Sequence, residues 1–180
     1  YQAGISHTTG SWLTAFGTQA GYSTTTAAFN SAFGGQALYS NTTGANNLAL
    51  GHAALYNSTT ASNNTAVGYT AGYSNTTGAS NTFLGQAAGN ASTSSFNTYL
   101  GKDSGKLITS GQKNTILGSY NGNQDGLDIR TSSNNIVLSD GDGNSRAYYG
   151  NKVSSSQPFW AVESPESQWT MNSRNQHGSN

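Results

Sequence analysis

The amino-acid sequence predicts an all-β fold, a repeat β-solenoid or β-roll with about 17 residues per coil. Three features of the repeat point to it: a fixed glycine, an apolar residue before that glycine, and an Asn four positions before it in every copy but the first, which has Leu13. Equal spacing with constant chemistry in each column is typical of a repeat array. The glycines are evenly spaced, with one interval shorter by a single residue: Gly17, Gly34, Gly51, Gly68, Gly85, Gly101 and Gly118.

Each repeat contains the parts of a coil with two short strands and two turns. Segments such as residues 63–68, NNTAVG, favour a strand, and the Asn-, Ser-, Thr- and Gly-rich stretches between them favour turns. A pair of helices needs roughly 33 residues or more per repeat, so a helical array is excluded. A degenerate eighth copy ends at Ser139. The sequence therefore divides into a lead-in over residues 1–10, a repeat domain over 11–139 and a C-terminal segment over 140–180.

Stacked coils place equivalent residues about 4.8 Å apart, so each column forms a ladder of like side chains. We expect the Asn ladder to exchange amide hydrogen bonds and a Tyr ladder to stack. A charge repeated in such a ladder would repel its neighbours. Residues 1–101 contain no Asp, Glu, Lys or Arg, and the first charged side chain is Lys102. The Tyr ladder consists of Tyr22, Tyr39, Tyr56 and Tyr73.

Composition excludes several classes of partner. The formal net charge is zero and no basic run occurs, so attraction to nucleic acid has no source. No segment approaches the roughly 20 apolar residues of a membrane-spanning helix, so no membrane insertion is expected. Cysteine is absent, which removes disulfides and Cys-based metal sites.

Two apolar columns of each predicted strand must lie on opposite faces of the sheet, because side chains alternate along a strand. One is the Leu/Phe column directly before the glycine. The other is an Ala column that becomes Phe83, Tyr99 and Ile116 in later copies. One column faces the coil interior, and the other is exposed or packs against another subunit. We therefore expect a homo-oligomer whose coils stack side by side around a common axis.

Several repeats resemble a known family. Residues 46–51 (NNLALG), 63–68 (NNTAVG), 80–85 (SNTFLG) and 113–118 (KNTILG) resemble the head repeats of trimeric autotransporter adhesins, and also repeats in distal parts of bacteriophage tail fibres. The resemblance covers residues 11 to about 139. It implies a left-handed parallel β-roll that assembles as a homotrimer.

Residues 134–146, NNIVLSDGDGNSR, resemble a segment found after such repeats in phage tail fibres. This favours a virion protein of the distal tail fibre over the alternative, the head of a trimeric adhesin on a bacterial cell surface. The function implied is structural host attachment, without enzyme activity. Its partners would be other phage tail proteins and a host receptor, either a surface polysaccharide or a protein.

Residues 140–180 break the repeat and predict a small β tip. Residues 146–153, 158–164 and 167–173 have the composition of three short strands. Aromatic faces stack on sugar rings, so the aromatic residues of this segment are candidate ligand-binding residues, with a packed tip core as the alternative. They are Phe159, Trp160, Trp169, Tyr148 and Tyr149.

A calcium site is a further candidate. Asp140, Asp142 and Asn144 alternate with glycine, as oxygen ligands do in calcium loops. The later bidentate Glu of a full loop is absent, and a Gly-rich turn explains the pattern equally well. The sequence therefore implies either no cofactor or calcium.

Two other functions remain open on the sequence alone. Doubled threonines such as Thr25-Thr26 and Thr42-Thr43 resemble the hydroxyl arrays of ice-binding solenoids, although they also suit a turn ladder. A polysaccharide-depolymerising tailspike would need a pair of carboxylates. The acidic residues available for it are Asp103, Asp125, Asp128, Glu163 and Glu166.

Overall fold

The computed structural model describes residues 2–9 and 12–150, together with the backbone of residues 159–162. Within these ranges the regular elements are all strands. They are β1 (Thr14–Phe16), β2 (Ser31–Phe33), β3 (Leu48–Leu50), β4 (Thr65–Val67), β5 (Thr82–Leu84), β6 (Thr98–Leu100), β7 (Thr115–Leu117), β8 (Asn123–Gln124), β9 (Leu127–Asp128), β10 (Ile136–Ser139), β11 (Ser145–Gly150) and β12 (Phe159–Val162).

Strands β1 to β7 and then β10 follow one another in a single parallel sheet. Each strand pairs with the equivalent residues of the next coil, so that Ala32 lies opposite Ala49 and Ala66 opposite Phe83. The pairing of β10 with β7 confirms the degenerate eighth copy. The predicted β-solenoid, with a spacing of about 17 residues between equivalent positions, is therefore confirmed.

Each coil contains one three-residue strand, where two strands were expected from the sequence. The segment after each strand turns because left-handed residues recur in it. In one coil Gln36 has a φ of 59° and Leu38 a φ of 52°. Such angles interrupt an extended strand. The turns still bond from coil to coil, as the Leu38 N–H does when it donates to the Ala54 carbonyl oxygen at 3.0 Å.

The repeating glycine is required where each strand ends. Gly68 has a φ of 136°, and a Cβ built on it would lie 2.4 Å from the carbonyl oxygen of Gly85 in the next coil. The backbones of neighbouring coils approach too closely there for any side chain. The φ angle independently favours glycine over L-residues.

The Ala column faces the coil interior, and its residues are fully buried from Ala32 to Val137. A second interior column, four residues after the repeating glycine, varies in the opposite sense. It holds Leu38 and Leu55 in two coils whose strand carries Ala, and Gly89 in the coil whose strand carries Phe83. In the coil between them both columns are small, with Ala66 and Gly72, and the Leu55 and Phe83 side chains of the neighbouring coils lie within 2.9 Å of where a Gly72 Cβ would stand. The two columns together keep the interior filled along the solenoid.

A buried Asn ladder runs beside this apolar interior, as predicted, but most of its amides bond to backbone groups, and the expected amide-to-amide bonds join Asn47 with Asn64 and Asn114 with Asn135. The Asn64 Oδ1 accepts the backbone N–H of Asn81 at 2.9 Å, and the Asn64 Nδ2 donates to the Gly78 carbonyl oxygen at 2.9 Å. Each Asn thereby satisfies backbone groups that the turns leave unpaired. The members are Asn30, Asn47, Asn64, Asn81, Asn97, Asn114 and Asn135.

The Tyr ladder also forms as predicted. The rings of Tyr39 and Tyr56 stack with their centroids 5.0 Å apart and their planes 3° from parallel. The adjoining pairs, Tyr22 with Tyr39 and Tyr56 with Tyr73, have centroids 5.1 Å apart. The four tyrosines thus form a half-buried row along one flank of the solenoid.

The solenoid changes at its C-terminal end. Strands β8 and β9 form a small antiparallel hairpin inside the last coil. Strand β11 then pairs antiparallel with β10, and β12 pairs antiparallel with β11, with Tyr149 opposite Trp160. Two of the three strands expected in the tip segment are therefore present. The third, over residues 167–173, lies outside the described residues.

Candidate functional site

The outward side chains of the parallel sheet form an apolar ladder, which we call the strand face. Leu50 is 46% exposed and Leu84 is 41% exposed, although each has an apolar neighbour in the coils on either side. Soluble monomers rarely expose a continuous apolar patch of this kind. The strand face consists of Phe16, Phe33, Leu50, Val67, Leu84, Leu100, Leu117 and Leu138.

Exposed aromatic residues stand at the margin of the strand face. Phe29 has a φ of 57° and Phe96 a φ of 64°, and both side chains are more than half exposed. Asn46 and Asn63 occupy the same position in other coils and tolerate this left-handed conformation. These two aromatic side chains therefore extend the exposed apolar surface beyond the strand face.

The turn over residues 140–144 is organised by Asp140. Its Oδ1 accepts the backbone N–H groups of Asp142 at 3.0 Å and Asn144 at 2.9 Å. The Asn144 side-chain amide and the Arg146 guanidinium also donate to this carboxylate. The hydrogen bond from the Asn144 amide is the largest cause that lowers the pKa of Asp140 to about 2, and the Arg146 guanidinium acts in the same direction.

These contacts give Asp140 a structural role, with its oxygen atoms occupied by protein donors. Among residues 2–9 and 12–150 no group of three His, Asp or Glu side chains is placed to hold a metal ion. The calcium site at Asp140, Asp142 and Asn144 stays a prediction, and these contacts do not add support to it.

The candidate aromatic residues of the tip have different environments. The Tyr148 hydroxyl donates to the Asn135 Oδ1 at 2.9 Å, and so caps the end of the Asn ladder. Burial raises the pKa of Tyr148. Tyr149 lies on β11 opposite Trp160 of β12, and Phe159 begins that strand. Trp169 lies outside the described residues.

A groove of about 380 Å³, which the sequence did not reveal, opens beside the interruption of the repeat. One wall is the turn that carries Lys102, Asp103 and Lys106, and the other includes Gln124 of β8 and Asp142. The Asp103 Oδ1 forms an ion pair with the Lys106 Nζ at a distance of 3.0 Å. The onset of charge at Lys102 was visible in the sequence, but the opposite wall depends on the β8–β9 hairpin, which no repeat column indicates.

The acidic residues considered for a tailspike mostly have structural partners. Asp128 forms an ion pair with Arg130 at 2.7 Å, and the guanidinium lowers the pKa of Asp128 to about 2. A general acid needs the opposite shift. The Asp125 Oδ2 accepts the backbone N–H of Ser145 at 3.1 Å. Glu163 and Glu166 lie outside the described residues.

The threonine columns form a hydrogen-bonded ladder. The Thr25 hydroxyl donates to the Thr42 carbonyl oxygen at 3.1 Å, and the Thr42 hydroxyl donates to the Thr59 carbonyl oxygen at the same distance. The hydroxyls of this column therefore stabilise the turn stack, which is the turn-ladder interpretation. The second threonine of each pair, as in Thr26 and Thr43, is exposed, and the ice-binding alternative stays untested.

No family model, curated protein or solved structure matches this chain. In the part of the chain that the structure describes, no helix has the length and apolar character needed to cross a membrane.

Proposed function

We propose that this chain is a structural, non-enzymatic subunit of a trimeric attachment fibre, which presents a receptor-binding surface to a host cell. The strand face is the observation that carries the proposal. Its apolar ladder continues through eight coils, and the side chains of Leu50, Leu84 and Leu100 remain at least 41% exposed in the single chain. A second copy of the same chain is the occupant that this face fits.

The strand face is long and narrow. Eight strands about 4.8 Å apart give a length of roughly 40 Å, and a three-residue strand gives a width of roughly 10 Å. The strands alone cover about 400 Å², about half of what one partner of a standard interface buries, so the contact must include the margin that carries Phe29 and Phe96. None of the eight strand-face side chains is charged, so burial carries no cost for unpaired charge.

In a threefold ring each contact joins two different patches of neighbouring copies, and a face turned towards the common axis supplies both patches. The resemblance to trimeric adhesin heads and tail fibres is what selects three copies. Because the coils are nearly identical, subunits could shift by one coil with little change in contacts. Phe29 and Phe96, which differ from Asn46 and Asn63 at the same position, supply contacts that fix one register.

The resemblance of residues 134–146 supports a place in the distal tail fibre of a virion, joined to other tail proteins. The alternative location is the surface of a bacterial cell, as an adhesin head. Gold-labelled antibody against the purified chain distinguishes them. Labelling at the ends of phage tail fibres supports the proposal, and labelling on uninfected bacteria supports the adhesin.

Attachment itself is tested with the fluorescently labelled full chain on a panel of bacterial strains. We expect binding to a subset of strains, and loss of binding after periodate oxidation of the cell-surface glycans. Binding that survives periodate but is lost after protease treatment identifies a protein receptor instead of a polysaccharide. Absence of binding to every strain would contradict an attachment function.

A further inference from the structure

The groove lies where charged side chains enter the repeat while its Asn, apolar and Gly columns continue. The position held by Tyr56 and Tyr73, and by Asn90 in the coil after them, is taken by Lys106, and the position directly after Gly101 is taken by Lys102. The following coil is longer than the others, with a spacing of 21 residues between Asn114 and Asn135, and the extra length forms the β8–β9 hairpin. A regular solenoid needs neither change, so this part of the chain departs from its architecture at a groove.

The hairpin wall of the groove is held in place by several contacts. The Gln124 Nε2 donates to the Asp142 carbonyl oxygen at 3.1 Å, and the Ser145 N–H donates to the Asp125 carboxylate. The Leu107 N–H donates to the Asn121 carbonyl oxygen at 2.8 Å. This bond ties the turn that carries the lysines to the coil that contains the hairpin. A site whose walls are fixed before binding loses less entropy when it takes a ligand.

The lining of the groove alternates hydrogen-bond donors with acceptors. Lys102, Lys106 and the Asn121 amide can donate, while Asp103 and Asp142 can accept. Asp103 pairs with Lys102 and Lys106 on one wall and Asp142 lies on the other, so the four charges sum to zero and neither a phosphate nor a cation is favoured. Leu107 is 41% exposed beside these polar groups and offers an apolar contact.

We infer that this groove binds a neutral saccharide unit of a surface glycan. Sugar hydroxyls both donate and accept hydrogen bonds, which matches a balanced lining, and the C–H face of a sugar ring matches the exposed Leu107. The volume of about 380 Å³ lies in the range of small-molecule sites, roughly 300–1,000 Å³. The inference rests on the proposed attachment function and places its glycan contact on the side of the solenoid.

Gly141 allows a sharp test because it lines the groove and a Cβ built on it would meet no atom within 4 Å. Gly141→Trp should fill the groove without disturbing the fold, and Gly141→Ala should leave it open. The probes are the methyl glycosides of glucose, galactose, mannose, N-acetylglucosamine and rhamnose, measured by saturation-transfer difference NMR on the full chain. We expect at least one glycoside to give a signal that Gly141→Ala keeps and that Gly141→Trp reduces about tenfold or more.

Lys102→Ala combined with Lys106→Ala should weaken the same signal, whereas Lys113→Ala, which removes a positive charge from an exposed site outside the groove, should not. A signal unchanged by Gly141→Trp, or no signal with any of the glycosides, would overturn the groove assignment. The cell-binding assay separates this result from the attachment proposal. If Gly141→Trp binds cells as the unmodified chain does, attachment stands and the groove assignment fails. If the groove binds a glycoside but the chain binds no cells, the attachment proposal fails instead.

Discussion

Phe83 occupies the space that a side chain on Gly89 would need. A Cβ built on Gly89 would lie 2.5 Å from the Cδ1 and Cε1 atoms of the Phe83 ring. Two coils earlier the arrangement is reversed, since Ala49 lies on the strand and Leu55 fills the interior from the turn. Between these two coils the large interior residue thus moves from the turn column to the strand column.

A double-mutant cycle tests this exchange. Phe83→Ala should destabilise the chain by about 3–5 kcal/mol through the cavity it leaves. Gly89→Leu alone should also destabilise it, because the new side chain meets the Phe83 ring. The double variant should be more stable than the two single effects predict, since Leu55 shows that leucine accepts the same left-handed backbone at φ 52°. Denaturant unfolding measures the coupling, and additivity within about 0.5 kcal/mol would contradict the account.

The repeating glycine provides a second test, with a control in the same chain. Gly68→Ala should destabilise strongly, because its Cβ would lie 2.4 Å from the Gly85 carbonyl oxygen and its φ is 136°. Gly141→Ala should have little effect, because no atom lies within 4 Å of its Cβ. Thermal unfolding of both variants checks the difference. Equal melting temperatures would show that the coils are not packed as closely as described.

The Asn ladder provides a third prediction. Asn64→Ala should cost about 3 kcal/mol, because it leaves the buried Asn81 N–H without its acceptor and removes one of two donors to the Gly78 carbonyl oxygen, the other being the Asn75 amide. The neighbouring Asn63 is exposed with a φ of 62°, so Asn63→Gly should change stability by only a few tenths of a kcal/mol. Chemical denaturation compares the two variants. A small effect for Asn64→Ala would mean that its hydrogen bonds are replaced by water.

The Asp140 turn predicts a pH dependence. Its hydrogen bonds lower the pKa of Asp140 from 3.8 to about 2, so the folded state gains stability above pH 3.8 and loses it as the pH falls to about 2. Asp140→Asn should therefore be less stable than the unmodified chain at pH 7, and the difference should vanish below pH 2. Asp142→Asn, whose carboxylate lies outside this hydrogen-bond set, is the control. A difference for Asp140→Asn that is the same at pH 7 and pH 2 would contradict the assigned role.

The coil length and the ladders could be predicted from the sequence because one short, constant period constrains every column at once. Asn64 and Tyr56 recur at fixed positions, and only stacked coils give such recurrence a physical reason. The single strand per coil could not be predicted, because it depends on left-handed residues such as Leu38, which have no side-chain signature. The sequence also left open whether the Ala or the Leu column faces inward, since both are apolar.

One signal in the sequence bears on that last point. The turn column changes from Leu55 to glycine at Gly72, and the strand column changes from Ala66 to large residues at Phe83, which is the behaviour of two columns that share one interior. The groove has no comparable signal, because its second wall depends on how the β8–β9 hairpin folds back towards Asp142. Residues around a break in a repeat are constrained by tertiary contacts, and those are not periodic.

The most direct test of the central claim is to measure the mass of the assembly by sedimentation equilibrium. The unmodified chain is compared with variants whose strand face carries charged residues. The full chain should sediment at about three times its 18.6 kDa monomer mass. Leu84→Asp combined with Leu100→Asp should reduce that mass to a single chain, because it places charges in the buried contact. Thr60→Asp, at an exposed position outside the strand face, should leave it unchanged. A monomer of 18.6 kDa for the unmodified chain at micromolar concentration, or an assembly that survives both aspartates, would contradict the central claim that the strand face joins the subunits.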